Sequence, residues 1–175
     1  MTALRSGSVS RPILVGHSGA GPLLPAIRRE ADRAVAGYIF VDAGLPKNGE
    51  LRAAAGPFAQ QLRELYAARR HYPDWTDTDL RQALPDPAWR KRLLSELRPQ
   101  PLSYWEEPIP VFAGWPDAPC GYLRFGRNPA YDEAAQAHQR GWPYIEIPGQ
   151  HFHMLVDPAA VATALVELVN QMTAP

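Results

Sequence analysis

"RPILVGHSGAG", residues 11–21, runs Ile13, Leu14 and Val15 into a histidine, a serine and four small residues. A short continuous apolar run stopped by glycine reads as a strand, over 11–16, buried on both faces. Its end has two readings. A sharp turn can hold up the Ser18 hydroxyl for chemistry, or Gly16 can relax an ordinary loop while Ser18 caps the helix that follows. The rest of the chain has to decide between them.

Working outward, "SGAGPLLPAIRREADRA" (18–34) sets Leu23, Leu24 and Ile27 against Arg28, Arg29, Glu30 and Asp32, the pattern of an amphipathic helix. Pro22 fits its first turn, and Pro25 is placed to bend it. "GYIFVDAGLP" (37–46) gives a second strand over 37–42, ended by Asp42. From 49 to 107 there is no apolar strand. "ELRAAAGPFAQQLRELYAARRHY", "DTDLRQAL" and "DPAWRKRLLSEL" read as helices, each opened by an acidic residue. "PIPVFAG" (108–114) is expected to be the third strand, "NPAYDEAAQAHQRG" (128–141) a helix stopped by Gly141, and "WPYIEIPG" (142–149) the fourth strand. "DPAAVATALVELVNQM" begins at Asp157 with Pro158 in the first helical position, and Val161, Leu165 and Leu168 share one face.

Strands alternating with helices imply an α/β fold: a mostly parallel sheet with flanking helices. Ligands of such sheets bind beyond the carboxyl ends of the strands. On the expected strand boundaries, the residues there are Ser18, Asp42, Asp117 and His151. A hydroxyl becomes a good nucleophile when an imidazole takes its proton, and a carboxylate best orients that imidazole. Each residue alone has a plainer explanation. Serine after a strand is commonly a helix cap, and a histidine beside Phe152 and Met154 commonly packs in a core. The joint placement favours chemistry.

Three segments carry a resemblance. "GHSGA" (16–20) resembles the nucleophile elbow of the α/β-hydrolase superfamily, with Ala20 where a second glycine is usual. "VFAGWPDAP" (111–119) resembles the family's strand followed by Gly-x-x-Asp. "GQHFHMLVDP" (149–158) resembles its histidine segment, with a proline seven residues after His151. The chain thus looks like the C-terminal half of such a hydrolase. The resemblance implies Ser18 as nucleophile, His151 rather than His153 as base, and Asp117 as acid, with Asp42 the alternative used by a minority of the family. It implies the Gly19 N–H as one oxyanion donor and gives no second. It also implies a core of 1–48 and 108–175 with a helical cap insertion at 49–107.

The implied activity is that of a serine hydrolase cleaving an ester, thioester or similar acyl bond without a cofactor. The alternatives are a partner-dependent or non-catalytic relative, or acyl transfer or carbon–carbon cleavage on the same residues. Insertion aromatics such as Phe58, Tyr72, Trp75 and Trp105 suit an apolar or aromatic acyl group or simply pack the insertion. His17, Trp75, Trp105 and Trp115 are the candidates for substrate contact.

The family usually has further strands before the elbow, whereas ten residues precede the apolar run here. The elbow strand is therefore expected at an exposed sheet edge, associating with a second copy of the chain or with a complementary N-terminal half. Composition narrows the remainder. The 175 residues carry 18 basic and 18 acidic side chains, a balance that favours neither nucleic acid nor an anionic membrane. One cysteine, Cys120, precludes an intramolecular disulfide and fits a cytoplasmic protein, and "MTALRSGSVS" lacks the apolar core of a signal peptide. No spacing suggests a metal site or a phosphate loop.

Overall fold

The computed structural model describes residues 10–50, 56–126 and 133–174. Parts of the helices expected at 50–72 and 128–141 lie outside these residues. The chain divides into two units, Met1–Asn48 with Pro110–Pro175, and Gly49–Ile109.

The first unit is built on four parallel strands in the order β1 (Ile13–His17), β2 (Gly37–Val41), β3 (Cys120–Phe125) and β4 (Tyr144–Ile147). The ladders pair Val15 with Ile39, Phe40 with Tyr122, and Leu123 with Ile145. β2, rich in aromatic and β-branched residues, is buried along its whole length, as expected of an inner parallel strand. Its side chains alternate between two cores. Tyr38 and Phe40 join Tyr122, Leu24 of α1 (Leu24–Ala31) and Ala137 of α6 (Glu133–Gln139) on one face. Ile39 and Val41 join Leu123, Phe125 and the Val161, Ala164, Leu168 and Met172 face of α8 (Pro158–Thr173) on the other. Gly37 and Gly121 let α8 approach, since a Cβ on either would lie 2.5 or 2.9 Å from the Met172 side chain. β1 is an outer strand of this sheet, with Val15 50% exposed.

Two expectations need correction. The third strand is "CGYLRF" (120–125), not 108–114. Pro108 and Pro110 leave that earlier segment without two ladder donors, so it runs outside the sheet. Arg124 had disguised the true strand by interrupting its apolar pattern. The helix after β1 also starts late: Ser18–Leu23 forms a 3₁₀ turn and α1 begins at Leu24. Pro25 therefore falls in the first helical turn, where its missing N–H costs little.

The second unit contains α2 (Gly56–Ala67), α3 (Asp77–Leu80), α4 (Pro87–Glu96) and α5 (Leu102–Glu106). Thr76 and Asp79 form a reciprocal cap on α3, and Asp86 caps α4. Buried Arg90 donates to Asp77 at 2.7 Å and to the carbonyls of Leu84 and Pro85 at 2.8 and 2.7 Å, which satisfies its charge. Among the described residues, no helix is long and apolar enough to cross a membrane.

Candidate active site

β1 and β2 run parallel, so their carboxyl ends bring Ser18 and Asp42 to the same rim of the sheet. Both residues occupy left-handed backbone, at φ 56° and 41°, where non-glycine side chains are uncommon. Such strain persists where the surroundings over-determine it. At Ser18 the cause is visible. A Cβ on Gly16 would lie 2.9 Å from the Gly21 Cα, and one on Gly21 would lie 2.5 Å from the Gly44 carbonyl oxygen. The turn closes so tightly that only glycine fits either position. The close partner of Gly16 is thus Gly21. Gly21→Ala is expected to lower stability by about 1–3 kcal/mol in urea unfolding. Gly19→Ala, where a Cβ meets nothing within 4 Å, should stay within about 0.5 kcal/mol of the parent.

Asp42 continues the β2 ladder through its N–H, which donates to the Leu123 carbonyl at 2.8 Å, and its side chain is fully buried. The Tyr122 hydroxyl fixes the next residue by donating to the Ala43 carbonyl at 2.9 Å and accepting from the Ala43 N–H at 3.2 Å. His151 comes from the loop between β4 and α7 (His153–Val156). Gly126 and Gly149 allow that loop to pack against the end of β3, because a Cβ on Gly126 would meet the Gly149 carbonyl oxygen at 2.8 Å.

These three side chains form one hydrogen-bonded chain. His151 Nδ1 lies 2.6 Å from Asp42 Oδ2, and His151 Nε2 lies 2.9 Å from Ser18 Oγ. A carboxylate only accepts, so the proton sits on Nδ1 and the lone pair of Nε2 faces the hydroxyl. This is the arrangement in which an imidazole can take a hydroxyl proton while a buried carboxylate steadies the resulting cation.

The structure does not bring Asp117 to this group. Because β3 starts at Cys120, Asp117 precedes the strand and stands at the opposite, amino-terminal rim. There it accepts from the Tyr38 hydroxyl at 2.5 Å and pairs with Arg28 at 3.0 Å. Trp115 follows the same displacement, packing beside Tyr38 and Phe40 at ring distances of 5.9 and 6.4 Å. Trp75 and Trp105 belong to an aromatic cluster within the second unit, in which Tyr72 lies 5.7 and 5.4 Å from them. His153 sits edge-on to Phe125 at 5.7 Å rather than in the chain of bonds.

The His17 ring lies 4.5 Å from that of His151, and its Nε2 is 2.8 Å from the His151 carbonyl oxygen. Burial and the neighbouring His151 lower its pKa to about 4, against the opposing pull of the carbonyl bond and Asp42. An unfolded chain would hold a proton there up to about 6.5. Acidification from 6.5 to 4 therefore favours unfolding. His17 should contribute about 3 kcal/mol of stability that is present above pH 6.5 and lost as pH falls through 4. Urea midpoints across this range should show the slope, and His17→Gln should flatten it.

A strained serine at a strand-to-helix turn, a buried carboxylate after the next strand and a histidine on a late loop are features of one class. A sequence profile of the alpha/beta hydrolase family matches residues 2–164, and the chain belongs to that family. No curated protein matches it. Among solved structures, it resembles an extracellular alpha/beta-hydrolase from a Paenibacillus species (18% identity, TM-score 0.68, covering 91% of this chain and 71% of that one). It also resembles polyneuridine aldehyde esterase (16%, 0.66, covering 96% and 76%) and a methylesterase from Arabidopsis (16%, 0.61, covering 97% and 74%). At these identities the likeness is one of fold.

Proposed function

We propose that the chain is a serine hydrolase that cleaves esters or thioesters of apolar acyl groups through Ser18, His151 and Asp42. The observation that carries this reading is the continuous path from Asp42 Oδ2 through the His151 ring to Ser18 Oγ, with steps of 2.6 and 2.9 Å. Ser18 Oγ attacks the acyl carbon as its proton passes to His151 Nε2. The imidazolium, paired with the Asp42 carboxylate, then gives that proton to the departing alcohol or thiol. Water attacks the acyl-enzyme, His151 takes its proton, and Ser18 is released protonated. The Gly19 N–H, next after the nucleophile in a turn with open space beside it, is positioned in sequence to donate to the developing oxyanion. Ester cleavage is the activity named for two of the structural neighbours, which supports the choice of bond.

The test is hydrolysis of p-nitrophenyl esters and acyl thioesters of increasing chain length by the purified chain. Saturable turnover with an initial burst of one p-nitrophenol per Ser18 is expected, because the acyl-enzyme accumulates when its hydrolysis is the slower step. No turnover above buffer by folded protein on every member of the series would contradict the reading.

A further inference from the structure

His151 is carried on a loop, yet its ring must stay within hydrogen-bonding distance of Ser18 and in line with Asp42. A loop-borne group needs support to keep such geometry. The bonds to Ser18 and Asp42 hold only the ring; the backbone that carries it is held elsewhere. His17 supplies a hold on that backbone. As the last residue of β1 it is fixed in the ladder opposite Val41, the residue before Asp42, and its own peptide bond leads directly to Ser18. Its side chain reaches across to the His151 carbonyl at 2.8 Å. One residue thus touches the nucleophile covalently, the carboxylate through the ladder, and the imidazole through its backbone.

Resting on the proposed roles of Ser18 and His151, we propose that His17 is a positioning residue. Its Nε2–H clamps the His151 carbonyl and so sets the distance between the His151 ring and Ser18 Oγ. A carbonyl only accepts, so the neutral His17 ring carries its proton on Nε2, and Nδ1 is bare. Neutrality matters as well as reach. When His151 takes the Ser18 proton it becomes a cation with the His17 ring 4.5 Å away. A protonated His17 would oppose that charge at short range, whereas a neutral one does not. The titratable groups that act on His17 are His151, on the loop after β4, and Asp42, after β2. Burial and His151 keep it neutral down to about pH 4. Above about pH 4 the ring that makes the clamp therefore adds no charge beside His151.

The test compares His17→Leu, which keeps bulk but has no donor, with His17→Gln, whose amide nitrogen reaches the position of Nε2. Circular dichroism first checks that both are folded. The expected result on a p-nitrophenyl ester is a fall in kcat of about 10–100-fold for Leu with little change in KM, since sub-ångström misplacement of a reacting pair costs rate rather than binding. His17→Gln should recover most of that loss, and fluorophosphonate labelling of Ser18 should slow and recover in parallel. A space-filling role predicts the reverse order, because Leu fills a half-buried site better than Gln. Equal losses in both variants, or an unaffected Leu variant, overturn the proposal. If His17→Leu does not fold, His17→Asn replaces it, because its amide nitrogen stops at the position of Nδ1. Wild-type protein that neither turns over nor labels at Ser18 removes the hydrolase reading, and the positioning role falls with it. That outcome is distinct from a labelled wild type with insensitive variants.

Discussion

Ser18→Ala is expected to lower kcat for a p-nitrophenyl ester by roughly 10⁴–10⁶-fold, and His151→Ala by a similar factor, with no further loss when the two are combined. The non-additivity is the informative part. Ser18 Oγ and His151 Nε2, 2.9 Å apart, act in one proton transfer, so removing either ends the same step. Stability should move the other way at this position. Ser18 sits at φ 56°, a conformation glycine adopts freely, so Ser18→Gly should raise stability by about 1 kcal/mol while abolishing turnover. Gain of stability with loss of rate would mark the strained turn as serving the chemistry.

Asp42→Asn should lower kcat by roughly 10⁴-fold, because an amide in place of the carboxylate can favour the wrong imidazole tautomer and does not balance the imidazolium charge. Asp117→Asn should leave kcat within a few-fold of wild type. Its effect falls on stability instead, by about 1 kcal/mol in urea unfolding, since Arg28 loses its ionic partner and the bond from Tyr38 weakens. The pair separates two carboxylates that sequence alone left in competition. Equal kinetic losses in both variants would contradict the geometry, in which Asp42 Oδ2 is 2.6 Å from His151 Nδ1 and Asp117 is at the other rim.

The exchange of those two carboxylates shows where the sequence was legible and where it was not. Ser18, Asp42 and His151 each follow a strand whose pattern is plain: "ILV", "YIFV" and "YIEI" are short apolar or alternating runs ended by turn residues. "CGYLRF" is harder, because a glycine and an arginine interrupt its apolar side chains, whereas the nearby "PIPVF" holds no charged residue. The absence of an interrupting charge pointed to the wrong segment. The two prolines in it, which cannot donate to a ladder, were the available signal against it. A strand shifted downstream moves what precedes it to the opposite rim, so one misplaced boundary carried Asp117 and Trp115 away from the site together. The role of Gly21 was also out of view, since its fit depends on Gly44 and Ala43, which are distant in sequence. His17 was legible as a neighbour of the nucleophile. Its bond to the His151 carbonyl joins residues 134 positions apart and follows only from the folded geometry.

Covalent labelling reaches the central claim most directly. Folded protein treated with a fluorophosphonate, digested and analysed by peptide mass spectrometry should carry one phosphonyl adduct, on Ser18, and the adduct should vanish in Ser18→Ala and form far more slowly in His151→Ala and Asp42→Asn. An unmodified Ser18 in folded wild-type protein, or an adduct that forms equally fast without His151, would contradict it.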